Sequence, residues 1–153
     1  MFDTEKRIKE LQLDLPPAPA PAGLYKPILV VENYLYVSGQ GPVLKDGTLY
    51  TGRLGETLSL EEGKEAARQA GLTMLSTIKA HYGELTKIKR LVKTLGMVNC
   101  TPDFREHPLV VNGFSELMAE VFGDEYGVGV RSAVGMMLPS SIAVEVEAVF
   151  QLY

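Results

Sequence analysis

The spacing of apolar residues changes several times along this chain, and each change predicts an element. Between residues 3 and 12, Ile8 and Leu11 recur at helical spacing among charged neighbours, with Asp3 or Thr4 placed to cap the start. From Leu15 to Gly23 four prolines remove amide donors and bias the residues before them toward extended backbone, which predicts a stiff arm. Two alternating runs follow, Ile28 to Glu32 and Tyr34 to Ser38, and Asn33 between them predicts a hairpin. Lys45-Asp46-Gly47 then marks a turn before a short strand-like segment from Leu49 to Thr51.

Ser59 with Glu62 three residues on is a capping box, so a helix is expected from there to about His81, with Gly83 as its stop. Ala67, Ala70, Gly71, Met74, Leu75, Ile78 and Tyr82 form its apolar face, small near the start as close packing on a sheet requires. Ile88 to Cys100 alternates with both sets apolar, so this strand needs cover on both sides. Helices cover one face; the other is expected to meet a second subunit. Pro108 opens a second helix in which Val111, Phe114, Met118 and Val121 or Phe122 face inward before Gly123 ends it. Val130 to Met137 and Ala143 to Tyr153 close the chain as two strands joined at Leu138-Pro139-Ser140-Ser141, with Met136 and Met137 read as core filling. The order β-β-(β)-α-β-α-β-β predicts an α+β layer with helices on one side, residues 1–22 forming a helix and arm ahead of one domain at 23–153.

Composition narrows the function classes. With 153 residues, 46% apolar and 22% charged, the chain has the make-up of one ordinary globular domain. A net charge of −4 offers no general attraction to polyphosphate, so no nucleic-acid partner is expected, and Lys87, Lys89, Arg90 and Lys93 read as a solvated strand end. Cys100 is the single cysteine, which excludes an internal disulfide and, with only His81 and His107, a four-ligand Cys/His zinc site. No stretch has the length of a signal peptide core or a membrane span, so a cytoplasmic protein without membrane contact is expected.

Two features carry candidate chemistry. In the last strand Glu145 and Glu147 share the face opposite Val144, Val146, Ala148 and Phe150. The residues alone leave this open as an exposed polar pair or as a carboxylate poised for proton transfer. Arg131 follows Gly127-Val128-Gly129, read as flexible, and its planar fork suits a carboxylate better than a lysine would. The residues alone equally allow an ordinary surface arginine. Gly39-Gln40-Gly41 lacks the third glycine and following helix of a dinucleotide loop, and Cys100 reads as a small apolar residue rather than a nucleophile.

Together these segments resemble a known family. Tyr34-Leu-Tyr-Val-Ser-Gly-Gln-Gly-Pro42 is similar to its strand ending in Ser-Gly-Gln, and Asp103-Phe104 leading to Asn112 to its second helix entry. Arg131-Ser132, then Leu138-Pro139, then Val144-Glu-Val-Glu147 resemble its C-terminal signature. The match to this Rid/YjgF family, also labelled endoribonuclease L-PSP, runs from Gly23 to Phe150. The resemblance implies a chorismate-mutase-like fold of the bacillus type, a homotrimer with clefts between subunits, and hydrolysis of enamines or imines such as 2-aminoacrylate to 2-oxo acids and ammonia without cofactor or metal. It further implies that Arg131 grips the substrate carboxylate and Glu145 directs the attacking water. Backbone groups at Gly39 and Ala133 would address the imine, with Tyr25, Ser38 and Asn112 lining the cleft. Two departures stand out: Ala133 occupies a position where some relatives have cysteine, and the interval from Arg131 to Leu138 is one residue short, which flips strand phase unless a bulge absorbs it. The competing expectations are a non-catalytic trimer that senses a carboxylate metabolite and an endoribonuclease.

Overall fold

The computed structural model describes residues Phe2–Tyr153; Met1, first in the expected N-terminal tract, lies outside the described residues. Strand β1 (Ile28–Val31) pairs antiparallel with β2 (Tyr34–Gln40) through the expected hairpin, turned by Glu32 at φ 53°. Helix α2 (Leu60–His81) starts on the Ser59–Glu62 capping box, with both reciprocal bonds formed, and Gly83 at φ 111° follows its end. Strand β3 (Ile88–Val98) leads to helix α3 (His107–Phe122), which has Pro108 in its first turn and Gly123 at its close. A four-residue helix, α4 (Asp124–Gly127), precedes β4 (Val130–Gly135), and β5 (Val144–Leu152) ends the fold. At the N-terminus α1 (Thr4–Glu10) is capped by Asp3 and buries Thr4 and Ile8.

The sheet order is β1-β2-β5-β3-β4, antiparallel throughout except for β3 and β4, which run parallel with α3 as their crossover. The expected β4–β5 hairpin therefore does not form: β3 lies between the two strands. The Leu49 to Thr51 segment makes only single bridges, Val43 to Leu49 and Thr51 to Ile142. All helices lie on one face, over Val144, Val146, Ala148 and Phe150 of β5 and Leu91 and Val98 of β3, while Phe114, Met118 and Val121 fill the layer from α3. The segment read as flexible is instead tightly packed, with Gly127 buried beside the α3 backbone. Met136 and Met137 follow the end of β4 and are 43% and 93% exposed, not core. The β3–β4 register runs unbroken from Lys93–Val130 to Val98–Gly135, so no bulge interrupts β4, and the chain from Gly135 to Leu138 continues as loop.

Candidate functional site

Cross-strand register assigns each candidate to a face. Ile28, Val37, Ala148, Thr94 and Arg131 form one row across all five strands on the helix side, and Val146, Gly96 and Ala133 lie on that side too. Glu145, Met97 and Val134 form a row on the opposite, helix-free side.

Arg131 bends over α3. Its two terminal nitrogens donate to the Ser115 hydroxyl (2.9 Å) and the Pro108 carbonyl (3.1 Å), which holds the guanidinium against the helix, and its other N–H groups make no hydrogen bond among the described residues. A cavity of about 210 Å³ adjoins it, bordered by Leu91, Thr94, Asn112, Ser115, Arg131 and the 127–129 segment. Thr94, 1% exposed and beside Arg131 in the register, has a buried hydroxyl that finds no hydrogen-bond partner among the described residues. Asn112 and Arg131 thus border one cavity, and Ala133 lies on the same side of the sheet.

Glu145 belongs to another groove, of about 280 Å³, shared with Tyr25, Gly39, Gly41 and Pro139. Gly39 is the residue this requires, since a Cβ there would stand 2.9 Å from the Glu145 carboxyl carbon. Burial pushes the Glu145 carboxyl upward from its ordinary pKa, and the Glu147 charge two residues on adds to the push. Within the pair, Glu145 is the half-buried member and Glu147 the exposed one. Ser38 does not join this groove; its hydroxyl donates to the Lys26 carbonyl (2.6 Å), and it borders a neighbouring groove with Tyr25 and Glu147.

The seven candidates therefore divide into two groups on opposite sides of the sheet. Tyr25, Ser38, Gly39 and Glu145 occupy the helix-free side; Asn112, Arg131 and Ala133 occupy the helix side. Two residues with a bearing on the second group went unnoticed in the sequence. Ser115 sits one turn beyond Asn112 on the same side of α3, a spacing that groups them. Thr94 is a polar residue at an inward strand position. Cys100 lies past the end of β3 with its thiol 3.3 Å from the His107 ring; burial raises its pKa, outweighing the Arg53 charge that lowers it, so it remains a thiol. Among the described residues no three His, Cys, Asp or Glu side chains converge on a possible metal position, and no helix is long and apolar enough to cross a membrane.

Residues 5–144 match the family described as YjgF/chorismate mutase-like, whose description adds a provisional endoribonuclease label. The chain belongs to this YjgF/chorismate mutase-like family. Within it, the chain is 42% identical over 146 residues to Protein TCP17 of Trypanosoma cruzi, covering 95% of this chain and 91% of that protein. A crystal structure from Shewanella oneidensis, provisionally called an endoribonuclease, superposes with a TM-score of 0.92 at 34% identity, covering 97% of this chain and 99% of that one. The Agrobacterium tumefaciens protein Atu1372, of unknown function, gives a TM-score of 0.87 at 38% identity over 99% and 94% of the two chains. The YjgF/chorismate mutase-like fold, five strands with helices on one face, is the one expected from the sequence.

Proposed function

We infer that this protein hydrolyses small enamines and imines of the 2-aminoacrylate type to 2-oxo acids and ammonia, in sites assembled between copies of the chain. The observation that carries this reading is the Arg131 guanidinium, clamped by Ser115 and Pro108 with donors left free beside a cavity sized for a small organic acid. A planar fork fixed in advance binds a carboxylate through paired charge-assisted bonds without ordering a long side chain at the moment of binding. The substrate carboxylate occupies this fork, which fixes the position of the carbon next to it.

The second half-site supplies the water. An imine carbon is already electrophilic, so addition needs a positioned water and a base. Glu145, raised by burial toward neutrality, is better matched to that work than an ordinary carboxylate. Water oxygen bonds to the imine carbon while one of its protons passes to Glu145 and from there to the nitrogen, giving a carbinolamine; the carbinolamine hydroxyl then gives its remaining proton, again through Glu145, to the nitrogen as the carbon–nitrogen bond breaks, and ammonia leaves a 2-oxo acid. Backbone groups at Gly39 and Ala133 face the imine, and Tyr25 and Asn112 complete the walls, while Ser38 braces the Lys26 carbonyl at the adjoining groove.

Arg131 and Glu145 lie on opposite faces of one sheet, so one substrate meets both only where two copies join. The helix-free face has the surface for such joining: Leu29, Tyr36 and Val130, in one cross-strand row, are 48%, 45% and 68% exposed. A homotrimer with three equivalent clefts follows from the family resemblance and fits a closed ring of identical contacts. The endoribonuclease label of the Shewanella relative finds less support here, because a net charge of −4 opposes a polyphosphate backbone.

Ammonia release from 2-aminoacrylate generated in solution tests the reading. Wild-type protein is expected to accelerate it and Arg131→Ala to abolish the acceleration. A wild type that binds 2-oxo acids without turnover would make the protein a carboxylate sensor instead.

A further inference from the structure

The proline-rich arm is the one long segment to which the sequence assigns no role. In the fold, Pro19, Ala20, Pro21 and Ala22 form one wall of the groove of about 280 Å³ that contains Glu145. The wall is held from both ends. Behind it the Pro16 carbonyl accepts a hydrogen bond from the buried Ser76 hydroxyl (2.6 Å), and Asp14 pairs with Lys45 (2.7 Å). Ahead of it the Ala22 N–H donates to the Tyr25 hydroxyl (3.0 Å). Further back, α1 is docked by Glu5, which pairs with Lys79 (2.9 Å), and by Arg7, which donates to the Glu120 carbonyl (2.9 Å). Proline fixes φ and the extended arm has no internal hydrogen bonds, so these outside contacts set where the wall stands.

The chemistry of the lining is one-sided. The arm presents pyrrolidine rings and methyl groups, and Val43, Leu49 and Ile142 add aliphatic surface. Thr77 is committed, its hydroxyl donating to the Gln40 side-chain Oε1 (2.7 Å), while the Gln40 side-chain Nε2 donates to the Ser38 backbone carbonyl (2.9 Å). Beside Glu145 the described lining is therefore chiefly aliphatic, with the Tyr25 and Ser140 hydroxyls as neutral polar groups and no Lys, Arg or His to pair with a second acid group.

We propose that the arm is a specificity wall: Pro19–Ala22 select an apolar substrate side chain and limit its length, with Leu49 lining the same groove. This rests on the hydrolytic reading above for the identity of the substrate and goes beyond it in assigning the arm.

The test compares wild type, Ala20→Leu and Leu49→Ala, each checked for unchanged circular dichroism and oligomer size. Turnover is measured on imines derived from alanine and from leucine. Binding of the matching 2-oxo acids, pyruvate and 4-methyl-2-oxopentanoate, is measured by calorimetry. Wild type is expected to favour the small member by about tenfold or more, the scale a few methylenes command in a pocket. Ala20→Leu should raise the small-to-large ratio at least fivefold, and Leu49→Ala in the same groove should lower it by a similar factor. Ratios unchanged in both variants, in turnover and in binding, would overturn the wall while leaving hydrolysis standing. Size-dependent binding that moves with the variants, in a wild type without turnover, would remove hydrolysis and keep the wall. Absence of both turnover and binding would remove the two together.

Discussion

Arg131 and Glu145 stand on opposite faces of the same sheet, separated by the whole width of β3. Arg131 is in register with Thr94, and Glu145 with Met97, three residues further along that strand and on its other side. A guanidinium lying along α3 and a carboxylate on the helix-free face have no common substrate within one chain. The chemistry proposed for them is thus inseparable from assembly.

The hold on Arg131 is expected to be measurable apart from its charge. Ser115→Ala removes one bond to a charged group and should weaken 2-oxo acid binding by about tenfold, in line with roughly 1.5 kcal/mol. Arg131→Ala should cost roughly 3 kcal/mol, about a hundredfold, and Arg131→Lys should recover little of it because a point charge lacks the fork. Calorimetric titration with pyruvate checks all three; an Arg131→Lys variant as tight as wild type would refute the bidentate contact.

Glu145 makes a signed prediction about pH. Its folded carboxyl holds a proton more tightly than the unfolded one, so the stability tied to its protonated form is fully present below the ordinary carboxylate range and is lost as pH rises through the folded value. Glu145→Gln keeps the neutral form at every pH. Its melting temperature relative to wild type should therefore climb between acidic and neutral conditions, and a difference that stays flat or falls would show that burial does not disfavour the charge. Over the same range the hydrolytic rate of wild type should rise as Glu145 ionises, and the variant should lack that limb.

Gly96 connects packing to the site. A Cβ at this buried position of β3 would stand 2.7 Å from a Val111 methyl, so α3 sits where it does because that strand position is bare. Gly96→Ala should destabilise the protein by about 1–3 kcal/mol in urea titration. It should also weaken carboxylate binding, since α3 carries both Ser115 and the Pro108 carbonyl. Adding Val111→Ala should return part of the loss; full stability in the single variant would mean that the helix has room to move.

Much of this arrangement was readable in the residues because it depends on local signals. The Ser59–Glu62 box, Pro108 with Gly123, and the alternation of Val144 to Phe150 against Glu145 and Glu147 each specify an element or a face without reference to the rest of the chain. Strand neighbours are not specified that way. Val130–Gly135 and Val144–Leu152 have the pattern of a hairpin, and only the parallel crossover through α3 puts β3 between them. That one non-local fact decides that Arg131 and Glu145 part company. Met136 and Met137 mislead for a related reason: apolarity predicts burial within a strand, and β4 has ended before them. The two acids of the last strand were distinguishable only once Gly39 was seen against Glu145, and Ser115 only once Arg131 was seen folding back over α3.

Mixing two inactive proteins tests most directly whether the site is built from two copies. Arg131→Ala lacks the carboxylate fork and Glu145→Gln lacks the base, so each homo-oligomer should be inactive on 2-aminoacrylate. Refolded together in equal amounts, they form interfaces in which a Glu145→Gln copy supplies Arg131 and an Arg131→Ala copy supplies Glu145. Random assembly places both intact halves at about one interface in four, and the mixture should regain about a quarter of the wild-type rate. A co-assembled mixture as inactive as its parents would contradict a site shared between subunits.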